Sequence, residues 1–106
     1  MNEQIKQKLS DLFRYELKQQ INFDDVFSVA VELKNNNDVW FVDADMMAES
    51  GGRYPFFDYD SPPEFKPPCI SCKHAMAYRL DETMFPTYFE DEAYEIVIDA
   101  IKTYKP

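Results

Sequence analysis

Apolar residues recur every three or four positions at both ends of the chain. In residues 2–20 the recurring positions are Ile5, Leu9, Leu12, Phe13 and Leu17. In residues 88–104 they are Phe89, Ala93, Ile96, Val97, Ala100, Ile101 and Tyr104. This spacing places the apolar side chains on one side of an α-helix. The sequence therefore predicts an amphipathic helix at each end of the chain.

The start of the second helix carries a capping signal. Thr87 is followed three residues later by Glu90. In a capping box, the side chains of such a pair satisfy free backbone N–H groups of the first helical turn. We therefore expect Thr87 to be the N-cap of the C-terminal helix.

Between the helices, the first apolar pattern has a period of two. Residues 26–33 alternate apolar positions in the way that is typical of a half-buried strand. Residues 39–45 predict the returning strand, and the asparagines of residues 34–38 predict the turn, because asparagine tolerates left-handed backbone. A lone hairpin is marginally stable in water. We therefore expect the first helix to cover the apolar face of this hairpin.

Residues 70–80 are compatible with two structures. A strand would place five side chains on one face: Cys72, His74, Met76, Tyr78 and Leu80. The alanine, methionine, arginine and leucine residues of the same segment also suit a helix. We favour the strand, because a third strand would stabilise the hairpin.

Residues 46–68 interrupt every pattern. They contain five prolines and the adjacent pair Gly51 and Gly52, which punctuate helices and strands. We expect a long loop at about 46–68. A structureless connection of this length is unusual in a compact domain, so either the loop is functional or a short strand lies near residues 56–60.

Together these elements predict one domain over residues 1–106. Its order is α-β-β-(long loop)-β-α, an α+β fold in which an N-terminal and a C-terminal amphipathic helix pack on a small antiparallel sheet of two to four strands. The hydrophobic content of 45% supplies enough apolar side chains for a core.

Negative charge is concentrated in two segments of the chain. Residues 23–64 hold ten acidic residues against Lys34 and Arg53, and residues 81–99 hold seven acidic residues and no basic one. A mixed-sign solvated surface is the plainer explanation of charged residues, but residues 81–99 carry one sign only. Such a field attracts basic partners and repels nucleic acid. The sequence therefore predicts a basic protein partner and no direct binding of nucleic acid.

The sequence favours a cytoplasmic location. No apolar run approaches the ~20 residues that span a bilayer, so we expect no membrane association. The first residues lack the apolar segment of a secretory signal. Two cysteines are too few for a disulfide scaffold, and we expect both thiols to be reduced.

Cys69 and Cys72 form a CxxC motif, and His74 follows two residues later. Thiolates at this spacing supply half of a tetrahedral zinc site, which a carboxylate or a second protomer would have to complete. A redox dithiol normally lies where a strand meets a helix N-terminus, and no such pattern surrounds this motif. We favour two small apolar side chains that enter a core element. A zinc site at Cys69, Cys72 and His74 is the alternative.

Two pairs of aspartates have strand spacing, Asp43 with Asp45 and Asp58 with Asp60. Paired carboxylates can bind a hard cation or divide acid and base roles. Neither pair has the spacing of an EF-hand, and aspartates that face water are the simpler interpretation. Since no catalytic constellation emerges, we predict that the chain is not an enzyme and needs no cofactor.

An aromatic cluster lies in the predicted loop. Its members are Tyr54, Phe56, Phe57, Tyr59 and Phe65. Neighbouring prolines reduce the entropy cost of ordering the loop, and rigid rings supply contact area, which is the combination expected of a binding loop. The alternative is that the rings fold back over the open face of the small sheet, because large rings dominate burial in small domains.

These features lead to one functional hypothesis and two alternatives. We expect a small acidic binding protein, an inhibitor or antagonist of immunity type or anti-defence type that covers a basic site on a partner protein. The predicted partner-binding residues are Asp43, Asp45, Tyr54, Phe56, Phe57, Asp58, Tyr59, Asp60, Glu64, Glu90, Asp91, Glu92 and Glu95. The alternatives are a small zinc- or thiol-dependent protein that uses the CxxC motif, and a structural homo-oligomer such as a homodimer.

Overall fold

The described structure consists of two helices and six strands. The computed structural model describes residues 1–54, 64–66 and 68–104. In chain order the elements are α1 (Glu3–Gln20), β1 (Asp25–Asn35), β2 (Asp38–Glu49), β3 (Gly52–Tyr54), β4 (Glu64–Lys66), β5 (Cys69–Leu80), β6 (Pro86–Tyr88) and α2 (Glu90–Thr103). The helices and the main sheet have the order α-β-β-β-β-α, which confirms the α+β prediction. Neither α1 nor α2 is long and apolar enough to cross a membrane.

Four strands form the main antiparallel sheet, in the spatial order β1-β2-β5-β6. β2 pairs with β1 on one side and with β5 on the other. β6 pairs only with the end of β5, from Tyr78 to Leu80. β3 and β4 pair with each other, between β2 and β5 in the chain. β2 is therefore the central strand, and β1 is a long strand at the edge of the sheet.

A two-residue turn of Asn36 and Asn37 closes the β1–β2 hairpin. Asn35 pairs with Asp38, and Asn36 adopts the left-handed conformation with φ of 57°. Asparagine reaches this conformation at little cost, which suits it to tight hairpin turns. The predicted hairpin is confirmed, and its strands extend beyond the predicted bounds.

β5 confirms the strand that we favoured for residues 70–80. It pairs with β2 from Val39 opposite Leu80 to Glu49 opposite Cys69. This pairing carries β2 through residues 46–49, which the sequence had placed in a loop. β3 and β4 occupy two further parts of the predicted 46–68 loop. The short strand considered near residues 56–60 lies outside the described residues.

Both helices pack on the same face of the sheet. α1 contacts β1, α2 contacts β5, and the helices contact each other. The sheet contributes alternate side chains to the core: Val29, Val31, Trp40, Val42, Ala44, Met46, Ala75 and Ala77. The helices contribute Ile5, Leu9, Phe13, Leu17, Ala93, Ile96, Val97 and Ala100. The predicted apolar stripes therefore face the core, except that Leu12 lies at its exposed margin.

The predicted capping box at the start of α2 is wrong. Thr87 belongs to β6, where it pairs with Arg79, and the N-cap of α2 is Phe89, which makes no side-chain capping bond. The Phe89 N–H donates to the carbonyl of Ala77 at 2.8 Å, and the Phe89 ring lies 5.4 Å from that of Trp40. Strand pairing and ring packing therefore override the local capping signal. α1, by contrast, has a side-chain cap, because Asn2 Oδ1 accepts from the Gln4 N–H at 2.7 Å.

Two isoleucines on α2 test which side of this helix is buried. Ile96 is 1% exposed, whereas Ile98 is 44% exposed. Truncating a buried isoleucine leaves a cavity, so Ile96→Ala should lower the free energy of unfolding by about 2–5 kcal/mol. The matched control Ile98→Ala should lower it by about 0.5 kcal/mol or less. Urea denaturation followed by circular dichroism measures both, and equal losses would contradict this packing.

Candidate protein-binding surface

One face of the main sheet is left uncovered by the described elements. Because strand side chains alternate between faces, the neighbours of the buried core residues point away from the helices. We call this surface the open face. It comprises Ser28, Ala30, Glu32, Lys34, Phe41, Asp43, Asp45, His74, Met76, Tyr78 and Tyr88. Glu32, Asp45, His74 and Tyr88 are exposed on it.

A row of aromatic rings crosses the open face at one end. Phe41 pairs with Tyr78 across β2 and β5, and their rings stack with centroids 4.8 Å apart. Tyr88 on β6 extends the row, 5.9 Å from Tyr78. The outermost ring, Tyr88, is 59% exposed. The row therefore offers rigid aromatic surface to a partner, held in place by strand pairing.

The loop between β5 and β6 adds apolar side chains beside this row. Met84 and Phe85 are 69% and 67% exposed. Asp81 organises the loop, since its Oδ1 accepts from the Thr83 hydroxyl at 2.6 Å and from the Phe85 N–H at 3.0 Å. These hydrogen bonds lower the pKa of Asp81, and the bond from the Thr83 side chain has the largest effect.

Asp43 and Asp45 lie next to the aromatic row on β2. Asp43 is flanked by Ala30 and Met76, and Asp45 by Ser28 and His74. The Ser28 hydroxyl donates to Asp45 Oδ1 at 3.1 Å. Together these six side chains line a shallow depression at the centre of the open face. The predicted sharing of one face by the two aspartates is thus seen in the structure.

The pKa values of Asp43 and Tyr78 on this face are both raised. Desolvation by burial raises the pKa of Asp43. Burial is also the main cause that raises the pKa of Tyr78, followed by the charges of Asp43 and Tyr88. Asp43 forms none of the ion pairs in the described part of the chain. Its charge therefore lacks the compensation that a basic group would supply.

Only part of the second acidic segment joins this surface. Glu90 lines a depression with His74, Met76, Tyr88 and Tyr94, and His74 and Met76 also line the depression around Asp43. The other predicted residues of α2 are arranged differently. Glu92 pairs with the terminal amine of Met1 at 3.4 Å, and Glu95 pairs with Lys6 on α1. Glu92 and Glu95 thus bind the helical layer together, while Asp91 is exposed beside them.

Most of the partner-binding residues predicted in the aromatic loop lie outside the described residues. Tyr54 in β3 and Glu64 in β4 are opposite each other across that strand pair. Phe56, Phe57, Asp58, Tyr59 and Asp60 lie outside the described residues. The sequence-based assignment of these side chains to a binding loop stays a prediction.

The CxxC residues are separated from His74 by an irregularity in β5. The β2–β5 register shifts so that His74 pairs with Asp45 on the open face, whereas Cys72 pairs with the buried Met46. Cys72 packs against the core, and burial raises the pKa of its thiol. Cys69 is exposed at the start of β5. The prediction that Cys72 and His74 share a face is wrong.

No group of three potential metal ligands converges within residues 1–54, 64–66 and 68–104. The geometry therefore gives no support to the zinc alternative at Cys69, Cys72 and His74. It supports the simpler interpretation for Cys72, a small side chain at the margin of the core.

Sequence reasoning missed the aromatic row. Phe41 precedes Asp43 and Asp45 at the same spacing of two, so the period of β2 placed it on their face. Tyr78 was placed on a common face of residues 70–80. The register that stacks these rings was not available from the sequence, nor was the strand that brings Tyr88 beside them.

Comparison with known proteins does not assign this chain to a family. No family model matches it, and no significant match was found among curated proteins or solved structures. Its function has to be inferred from the open face itself.

Asp43→Asn tests the electrostatics of the open face. Burial raises the folded-state pKa of Asp43 above its unfolded-state value of about 4. The contribution of Asp43 to the free energy of unfolding is therefore most favourable below about pH 4, and it is lost as the pH rises through the folded-state pKa. The variant lacks this charge, so it should be more stable than the wild type at neutral pH. Denaturant unfolding at a series of pH values should show this gain shrinking towards acid pH. A gain that is independent of pH would contradict the desolvation of Asp43.

Proposed function

We propose that this chain is a small acidic binding protein that inhibits or antagonises a partner protein by covering a basic site on it. The observation that carries the proposal is the open face, where a row of aromatic rings lies beside uncompensated carboxylates. An immunity-type or anti-defence-type role fits such a surface. The chain acts by binding rather than by catalysis.

The charge of the open face supports a basic partner. Its carboxylates are Glu32, Asp43 and Asp45, and Glu90 lies at its margin. None of these four takes part in the ion pairs of the part of the chain that the structure describes. These carboxylates outnumber Lys34, the lysine of the same face, and an excess of negative charge steers an oppositely charged protein and rejects nucleic acid. The same charges make the complex sensitive to salt, because exposed charges are screened.

The aromatic row supports a contact of arginine or lysine with ring faces. Tyr88 is exposed, and Phe41 and Tyr78 are half-buried beneath the same surface. A guanidinium or ammonium group over an aromatic face gains cation–π attraction, and more so when it is desolvated. Aromatic residues also dominate the binding energy of protein interfaces. Aromatic rings next to carboxylates thus recognise a cationic side chain by two interactions at once.

The face is built on strands, which suits a preformed binding surface. Phe41, Asp43 and Tyr78 lie on the central pair of strands, whose opposite face packs on both helices. A surface held in this way loses little conformational entropy when a partner binds. We propose that the protein acts in a cytoplasm, where Cys69 and Cys72 stay reduced.

A pull-down with matched baits tests this function. The wild-type chain is immobilised at low salt and exposed to lysate of the source cell, and bound proteins are eluted in salt steps and identified by mass spectrometry. The site variant is Asp43→Asn/Tyr88→Ala. The control is Glu3→Gln/Tyr15→Ala on α1, which removes one carboxylate and one tyrosine of similar exposure, 61% against 59%.

We expect the wild type and the control to retain one basic protein that is released at moderate salt. The site variant should lose it, and the purified partner should lose its own activity when the wild-type chain is added. Capture of nothing by the wild type, or equal capture by the site variant, would contradict the proposal.

A further inference from the structure

The outer side of β1 has no partner strand in the described parts of the chain. β1 stands at the end of the sheet order and runs from Asp25 to Asn35. Such an edge presents unpaired backbone N–H and C=O groups to any other strand. Natural proteins usually protect edges with proline, charged side chains, bulges or a covering element. β1 contains no proline, and the charged residues in its second half are Glu32 and Lys34.

The backbone direction along β1 follows from its turn. Asn35 and Asp38 flank a two-residue turn, so they exchange backbone hydrogen bonds, and the odd-numbered residues of β1 bond to β2. The N–H and C=O groups of the even-numbered residues therefore point outwards. In agreement, the Val26 N–H donates to the side chain of Asp25 at 2.8 Å and not to β2.

Asp25 thus protects the first outward donor and leaves four residues unprotected. These are Ser28, Ala30, Glu32 and Lys34, and all four are exposed. Their side chains lie on the open face, on the side of the sheet opposite to the helices.

We propose that β1 pairs with β1 of a second copy of this chain, antiparallel about a two-fold axis at Val31. In this register Ser28 is opposite Lys34 of the other copy and Ala30 is opposite Glu32. All four unprotected residues then exchange backbone hydrogen bonds, and Val26, which Asp25 already caps, is not needed. The two-fold axis is perpendicular to the sheet, so the product is one eight-stranded sheet with both open faces on the same side.

The pairing of all four unprotected residues with one another selects this register, and charge favours it over a register centred on Ala30. Lys34 would lie beside Ser28 of the other copy, and the Ser28 hydroxyl is bonded to Asp45. With neighbouring strands about 4.8 Å apart, the lysine ammonium can reach that carboxylate across the small serine. Shifting the axis to Ala30 would instead bring Glu32 beside Ser28 and Asp45, which places like charges together. The proposed register forms the Lys34–Asp45 pair twice.

Two symmetry-related repulsions accompany this arrangement. Glu32 would lie beside Ala30 of the other copy, with Asp43 one strand further. The two carboxylates repel each other across the alanine, although Lys34 lies on the same strand face as Glu32. The two neighbouring charges of β1 therefore act in opposite directions on the same dimer.

The flank of α1 that overlooks this edge also favours a second copy. Ser10 and Arg14 contact α2 through Asp99 and Thr103. Leu12 is about 160° away from Ser10 around the helix, as follows from 3.6 residues per turn, so it lies on the side away from α2. Leu12 is 36% exposed, and pairing of the two edges would remove part of this apolar surface from water.

Sedimentation equilibrium of the full chain at low salt tests the proposal from micromolar to millimolar concentration. The wild type should show a monomer–dimer equilibrium. Ala30→Pro removes an outward N–H without removing a bond to β2, so it should abolish the dimer. The matched control Ala30→Thr keeps the N–H and should remain dimeric. Circular dichroism checks that both variants are folded.

Charge variants test the register and do not depend on the folding of a proline variant. Lys34→Glu should weaken the dimer about tenfold, since two exposed ion pairs become two repulsions. Lys34→Glu/Asp45→Lys should restore it, because the charges are exchanged. Glu32→Gln should tighten it, because a repulsion with Asp43 is removed. A chain that is monomeric throughout, a dimer that Ala30→Pro does not disturb, or a charge exchange that fails to restore association would overturn the proposal.

Discussion

The structure depends on the pairing of β2 with a long strand on each side. β1 and β5 both align with β2 over most of its length. Side chains that are paired across these three strands therefore point to the same face of the sheet. Every second row of the sheet is apolar and lies under the helices, and the rows between them form the open face. A shift of register by one residue in β2 would exchange these two faces. The alternation of Val42, Ala44 and Met46 with Asp43 and Asp45 opposes such a shift, because it would bury two carboxylates.

Small residues allow one helical layer to serve the whole sheet. Ala75 and Ala77 lie on β5, the strand that α2 contacts, and α2 contributes Ala93 and Ala100 to the same core. These alanines let the backbone of the helix approach the strands closely, while larger side chains such as Phe13 fill the space under α1. Where the two helices meet, the buried Ser10 hydroxyl donates to Asp99 at 2.6 Å. This bond satisfies a polar group that would otherwise lie unpaired in the interface.

The elements with regular periodicity could be predicted from the sequence, because each period reports one buried side. This holds for α1, for the body of α2 and for the β1–β2 hairpin. The start of α2 could not be predicted from its capping signal, which covers only Thr87 to Glu90. Thr87 pairs with Arg79 and the Phe89 N–H bonds to Ala77, and both partners lie on β5, outside that signal. Likewise, the separation of Cys72 from His74 results from a shift in strand register.

The candidate site shows the same division. That Asp43 and Asp45 share a face follows from the period of a strand. The aromatic row does not, because Phe41, Tyr78 and Tyr88 come from three strands whose order only the folded sheet defines. The composition of the chain predicts a binding surface, but it assigns that surface to the aromatic loop, where rings are close in sequence. On the sheet, rings that are far apart in sequence are brought together by pairing.

The two proposals are linked through the charge of the open face. A cation that approaches this face from a basic partner offsets the cost of holding Asp43 ionised, since burial raises the pKa of that carboxyl, and Lys34 of a second copy would add positive charge beside Asp45. In the proposed dimer, Lys34 compensates Asp45, while Asp43 and the aromatic row stay accessible to a partner. Two such faces on one side of a continuous sheet would hold a second contact close to the first, so a partner with repeated basic sites would gain avidity without any new contact. Since coupling between two binding events is reciprocal, a lysine that pairs with Asp45 also changes the affinity of the face for a cation beside Asp43.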